Sequence, residues 1–93
     1  MAAGATSHRR PRRLFTWDEL KRLSNIDKHG IDFADIDEEF FESAIIAPAM
    51  GGRFKAIGWF GGVVIAVIFA RRGAEAISII SARPASRKER NRQ

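Results

Sequence analysis

Cationic side chains stand where the hydrophobic pattern of this 93-residue chain changes, and their chemistry suits a phosphate ligand. Arg53 opens a run with period two, Arg71 follows an apolar run, and Arg83 closes the last one. Arginine offers two parallel N–H donors to phosphate oxygens. Because strand ends can converge on one rim of a sheet, the pattern predicts a rim that holds a phosphodiester.

Cleavage of an RNA strand by its own 2′-hydroxyl needs a base, an acid and cations that stabilise the extra negative charge. We therefore assign six catalytic candidates: Lys28, His29 and Glu75 for proton transfer, and Arg53, Arg71 and Arg83 for charge stabilisation. Five further cations are candidates for RNA binding: Lys21, Lys55, Arg72, Arg87 and Lys88.

Ordinary structural roles compete with these assignments. Arg72 and Glu75 flank a turn and would form an ion pair across it. His29 ends a helix, where a cation interacts with the helix dipole. The arginine that closes the last strand would also suit a solvated strand end. The two tryptophans, Trp17 and Trp59, suit a core better than base stacking.

Neither a metal site nor a cofactor is expected. The two histidines, His8 and His29, lack the HxxxH or HExxH spacing of a metal site, and no phosphate-binding loop of the P-loop type occurs. The chain has no cysteine, which fits a reducing cytoplasm.

The formal net charge of +5 is located at the two ends of the chain. Residues 1–13, interpreted as a disordered basic arm, carry four arginines and no acid, and the last ten residues carry a net charge of +3. Residues 14–93 form one predicted domain. Its body, residues 14–83, has a net charge of −2, so net charge alone supports RNA binding only weakly.

A first helix is predicted after a short extended segment at residues 14–16. Thr16 and Glu19 have the spacing of a capping box, and Gly30 is a typical residue after a helix C-terminus. Spacing divides this helix into an apolar stripe of Trp17, Leu20, Leu23 and Ile26 and a polar face of Lys21, Asn25 and Lys28.

A second helix is predicted from Asp32 to about Ser43, with Phe33, Ile36 and Phe40 as its buried stripe. Its other faces carry only acidic charges. Such a surface repels RNA and attracts a basic partner, although a solvated face is the commoner explanation.

The remaining sequence predicts strands. Residues 43–49, 53–60, 63–70 and 75–83 have strand patterns, and Ser86 and Glu89 form a capping box that opens a short basic helix. The uncharged run at residues 57–70 has 14 residues, fewer than the roughly 20 that a membrane-spanning helix needs. The predicted fold class is α+β, with two N-terminal helices packed on a three- to four-stranded antiparallel sheet and a short C-terminal helix.

Three stretches together resemble the BrnT family of ribonuclease toxins from type II toxin–antitoxin systems. They are the segment from Phe15-Thr16-Trp17-Asp18-Glu19 to Lys28-His29-Gly30, the segment Arg53-Phe54-Lys55-Ala56-Ile57-Gly58, and the segment Ile79-Ile80-Ser81-Ala82-Arg83 with Ala85-Ser86-Arg87-Lys88-Glu89-Arg90. Their order in a short chain is more specific than any one of them.

The resemblance implies a RelE-like fold and a cytoplasmic, metal-independent endoribonuclease that cleaves RNA and halts translation. It also implies a BrnA-like antitoxin with a DNA-binding domain, contact with operator DNA only through that complex, and an arrangement such as a toxin dimer within a heterotetramer. The family pattern falls on Trp17, Asp18, Lys21, Asn25, Lys28, His29, Gly30, Arg53, Gly58, Ser81, Arg83 and Arg87.

Two positions depart from the resemblance. Many relatives have tyrosine where this chain has Phe69, and many have arginine where it has Ser78. A phenol hydroxyl therefore has no role here, and Arg71 and Arg72 are candidates to replace the missing cation. The alternative functions are a non-catalytic module that binds nucleic acid or protein, and a degenerate toxin that no longer cuts RNA.

Overall fold

A five-stranded sheet organises the computed structural model, which describes residues 13–91. The strands are β1 (Leu14–Trp17), β2 (Ile45–Pro48), β3 (Phe54–Phe60), β4 (Val63–Arg72) and β5 (Ala76–Pro84), in the spatial order β1-β5-β4-β3-β2. The helices are α1 (Glu19–His29), α2 (Glu38–Ser43) and α3 (Arg87–Arg90). Except for Arg13, the predicted basic arm lies outside the described residues.

The predicted fold class is wrong in its sheet and in its order of elements. Residues 14–17 form an edge strand, β1, which pairs in parallel with β5, so the sheet is mixed and α1 follows a strand. The other neighbouring strands pair antiparallel. Strand β1 has only four residues, and its partner lies about 60 residues further along the chain. It therefore leaves little local pattern in the sequence, and only an extended segment was predicted there.

Aspartates set the helix starts. Asp18, rather than the predicted Thr16, caps α1, and its carboxylate accepts hydrogen bonds from the backbone N–H groups of Leu20 and Lys21. The predicted helix at residues 32–43 is broken, because Asp32 caps a 3₁₀ turn and Asp37 caps α2 separately. The predicted stop at Gly30 is confirmed by its left-handed backbone, with φ at 70°.

The two faces of the sheet differ in their cover. One face packs against α2 and the 3₁₀ turn Phe33–Asp35 and forms the main core, in which Phe41 stacks on Phe15 and meets Phe69 edge-on. The opposite face has a small cluster of Ile57, Val64, Ala66 and Ala85. We call this second face of β3, β4 and β5 the open face.

Helix α1 docks through its predicted polar side. Asn25 is buried, whereas Leu20 and Leu23 of the predicted apolar stripe are exposed by 77% and 50%. The Asn25 carboxamide accepts from the N–H of Ala82 at 3.0 Å, donates to the carbonyl of Ala82 at 2.9 Å, and donates to the carbonyl of Ile31 at 2.9 Å. It takes the place of a strand along the part of β5 that β1 does not reach.

Among residues 13–91, no helix is long and apolar enough to cross a membrane. The apolar run that the sequence placed in buried strands lies in β3 and β4.

Replacing Asn25 tests this docking. Asn25→Ala leaves three backbone groups without their partner, and we expect a loss of about 2–4 kcal/mol in the free energy of unfolding, measured with urea. Ser24→Ala, an exposed change in the same helix, is the matched control and should change stability by less than about 0.5 kcal/mol. A loss below about 1 kcal/mol for Asn25→Ala would contradict the assignment.

Candidate functional site

A cleft at one end of the open face collects cations from three elements. Its volume is about 480 Å³, and its cationic lining residues are Lys21 of α1, Arg53 before β3, and Arg71 and Arg72 at the end of β4. Within residues 13–91, these four side chains form no ion pair. The cleft thus brings together four of the predicted site residues, whereas Arg83 does not line it.

Two contacts define the chemistry of the cleft further. The Arg71 guanidinium lies 4.7 Å from the centre of the Phe54 ring, a cation–π contact that orients it. Phe54 packs against the helix-covered core, so this guanidinium lies on that side of the sheet, and Lys21, Arg53 and Arg72 supply the charge of the cleft. Asp18 also lines the cleft, but its carboxylate is engaged in capping α1. The cleft therefore presents a surplus of positive charge and suits an anionic ligand.

A buried carboxylate joins two other cations on the open face. Glu89 is 7% exposed, and it accepts hydrogen bonds from the Arg83 guanidinium at 2.8 and 2.9 Å and from the Lys55 ammonium at 2.7 Å. These bonds hold the pKa of Glu89 well below its usual range, with the Arg83 contact as the largest cause. We call this group the Lys55–Glu89–Arg83 cluster.

Glu89 lies in helix α3, which begins with the predicted capping box. The Ser86 hydroxyl accepts from the N–H of Glu89 at 3.1 Å, and the Glu89 carboxylate accepts from the N–H of Ser86 at 2.8 Å. The capping box is confirmed, but no contact of Glu89 with other cations was predicted. The available signal was that Glu89 is the only acid among the last ten residues, between four cations.

A β-bulge puts Arg83 on the open face. Phe69 of β4 pairs with Ile79, whereas Ile68 pairs with Ser81, so Ile80 is an extra residue. Side chains alternate along a strand, and one extra residue exchanges the faces of everything that follows it. Without the bulge, Arg83 would share the buried face of Ile79.

The candidates for proton transfer are not brought together. Lys28 and His29 are exposed in the last turn of α1, which runs along β5 in the direction of Arg83. Glu75 precedes β5, at its other end, roughly 25 Å from Arg83 for a strand of this length. The expected ion pair between Arg72 and Glu75 is not among those formed by residues 13–91.

The remaining predicted residues lie outside the cleft. Arg87 and Lys88 are exposed on α3, and Lys88 lines a small pocket with Lys55 and Glu89. Trp59, predicted as core, is 60% exposed. Trp17 is half-buried and contacts Phe33, as predicted for a core residue.

The comparisons with known proteins agree on one family. A family model described as the ribonuclease toxin BrnT of type II toxin–antitoxin systems matches residues 17–89. The chain belongs to the BrnT family. It is also similar to the 1.1 Å crystal structure of the Brucella abortus ribonuclease toxin BrnT, with 53% identity, a TM-score of 0.76, and coverage of 81% of this chain and 99% of that one. No curated protein sequence matches it.

BrnT-family membership confirms the resemblance found in the sequence and implies an antitoxin partner.

The two departures from the family pattern have distinct surroundings. Ser78 lines the cleft beside Arg71 and Arg72. Phe69 is 1% exposed in the helix-covered core. Residues 13–91 contain no group of three or more His, Asp or Glu side chains placed to hold a metal ion.

The lowered pKa of Glu89 predicts a pH-dependent contribution to stability. A carboxyl whose pKa falls on folding stabilises the protein above its ordinary pKa of 4.5 and loses that contribution as pH falls further. Glu89→Gln should therefore cost about 3 kcal/mol at pH 7, and its deficit relative to the unmodified chain should shrink below about pH 4.5.

Urea unfolding of both proteins from pH 7 to pH 3 measures this deficit. The exposed substitution Glu39→Gln is the control for loss of one carboxylate and should cost less than about 0.5 kcal/mol at pH 7. A deficit for Glu89→Gln that stays constant with pH would show that the ion pairs do not provide the stability.

Proposed function

We propose that this chain is a metal-independent endoribonuclease toxin that cleaves RNA, inhibits translation and is neutralised by a BrnA-like antitoxin. Its family supplies the class of ribonuclease toxin. The observation that carries the proposal to this chain is the cleft at the end of the open face, where Lys21, Arg53 and Arg72 lie without ion pairs among residues 13–91. Clustered cations bind phosphate oxygens through charge-assisted hydrogen bonds.

The open face offers a path for one RNA strand. Arg53 and Lys55 lie two residues apart, roughly 7 Å along the chain, so one strand reaches both the cleft and the Lys55–Glu89–Arg83 cluster. The acidic α2 lies on the helix-covered face, where it repels the phosphate backbone. RNA is therefore attracted to one side of the molecule and repelled by the other.

The proposed reaction uses the RNA's own hydroxyl as nucleophile. The 2′-oxygen attacks the neighbouring phosphorus, the bond to the 5′-oxygen of the next nucleotide breaks, and a base and an acid move the two protons. The products are a 2′,3′-cyclic phosphate and a 5′-hydroxyl end. Arginine stabilises the added charge on the phosphate during the attack. The candidates are Arg53 and Arg83 on the open face and Arg71 at the edge of the cleft.

The first test removes the cations of the cleft. Arg53→Gln and Arg72→Gln should each lower the rate of RNA cleavage at least tenfold, in buffer that contains a chelator. Each should also reduce the slope of log affinity against log salt by about 1 for an uncleavable 2′-deoxy RNA, because one phosphate contact is lost.

Arg13→Gln is the matched control, since it removes the same charge from the helix-covered side, where Arg13 pairs with Glu38 and lies over the Phe41 ring. It should keep cleavage within about twofold of the unmodified chain. Equal losses in all three variants would show that total charge, rather than the cleft, determines activity. Cleavage that stops in the chelator would contradict metal independence.

A second test locates proton transfer. Lys28 and Glu75 lie toward opposite ends of β5, so they cannot both serve one phosphate. We expect Lys28→Ala to lower kcat by about 10² or more and to relieve growth arrest in cells, and Glu75→Gln to retain cleavage. Retained cleavage in Lys28→Ala together with lost cleavage in Glu75→Gln would instead identify Glu75 as the base, at the end of β5 near the cleft. Arg83→Ala is a weaker test, since it also removes the main partner of a buried carboxylate.

The non-catalytic alternative has a clear signature. A folded protein that binds RNA in a salt-dependent way, never cuts it and does not arrest growth would support a binding module or a degenerate toxin instead.

A further inference from the structure

We propose that Glu89 is a positioning residue, which fixes the Arg83 guanidinium and the Lys55 ammonium side by side on the open face so that one RNA phosphate meets both. This inference rests on the proposed function. It assigns to the C-terminal helix a part in the geometry of the RNA site, although Glu89 itself does not contact RNA.

The geometry defines how close the two cations are. One carboxylate oxygen of Glu89 accepts from Lys55 at 2.7 Å and from Arg83 at 2.9 Å, so the two donor nitrogens are at most about 5.6 Å apart. The second oxygen accepts from Arg83 and from the backbone N–H of Ser86, both at 2.8 Å. These four bonds leave the carboxylate little freedom to rotate.

Like charges at this separation repel each other, and the intervening carboxylate offsets that repulsion. Because Glu89 approaches from α3, the cations stay partly accessible on their outer side. The Arg83 side chain is 37% exposed and the Lys55 side chain 26%. With one carboxylate and two cations, the cluster keeps a net positive charge for a phosphate.

Docking of α3 does not by itself require this carboxylate. Ala85 is buried against the sheet, and its N–H donates to the carbonyl of Val64 at 3.0 Å. The Arg90 guanidinium donates to the carbonyl of Ala85 at 3.2 Å. The helix thus has other attachments, and a buried acid between two cations needs a further explanation.

The experiment compares Glu89→Gln with Ser86→Ala. Both weaken the capping box, but Ser86→Ala leaves the carboxylate and both cations in place. Three quantities are measured: kcat for RNA cleavage, affinity for an uncleavable 2′-deoxy RNA, and the side-chain NMR signal of the Arg83 Nε–H group. Urea unfolding gives the folded fraction of each variant.

We expect Glu89→Gln to lower kcat at least tenfold while affinity for the uncleavable RNA is unchanged or higher, because a negative charge has been removed. Its Arg83 signal should narrow toward that of a mobile side chain. Ser86→Ala should keep the Arg83 signal and cleavage within about twofold. If Glu89→Gln does not fold, Glu89→Asp takes its place, with the same direction and a smaller effect.

Equal losses of kcat in Glu89→Gln and Ser86→Ala would overturn the inference, and so would a parallel loss of kcat and affinity. An unmodified chain that cuts no RNA would overturn the proposed function instead. In that case the Arg83 signal still decides whether Glu89 fixes the cation, and an unchanged signal in Glu89→Gln would reject it.

Discussion

The carboxamide of Asn25 stands where a neighbouring strand would otherwise lie, and the arrangement of the molecule depends on it. Strand β1 stops opposite Ile79, so the outer edge of β5 continues without a partner strand. Asn25 satisfies both backbone groups of Ala82 and closes the turn after the helix through Ile31. Buried backbone groups require such partners. The contact fixes α1 along β5, with Lys21 at the cleft.

The bulge at Ile80 and the contact of Asn25 with Ala82 lie two residues apart on β5 and together arrange the end of this strand. The bulge transfers Arg83 to the open face and leaves Ala82, whose backbone groups Asn25 binds, facing the core. Positive charge gathers on the open face, whereas the acidic α2 covers the other. A chain whose body has a net negative charge thereby acquires one surface suited to RNA.

Some local signals were interpreted correctly from the sequence, whereas the Thr16–Glu19 capping box and the unbroken helix at residues 32–43 were not, and long-range contacts left no local signal. The stop at Gly30, the Ser86–Glu89 capping box and the family pattern are properties of short segments, and each is confirmed. The parallel pairing of β1, the bulge at Ile80 and the partners of Glu89 depend on residues far apart in the chain. Asn25 was misread because a polar residue on a helix face usually contacts water. The cations of the cleft were named from strand ends, but their convergence needed the sheet order.

NMR titration with an uncleavable 2′-deoxy RNA tests whether RNA lies along the open face. The largest shifts should occur at Lys21, Arg53, Arg72 and Ser78 in the cleft and at Lys55 and Arg83, and the signals of α2 should not move. Shifts confined to the chain ends, or centred on α2, would contradict RNA binding along this face.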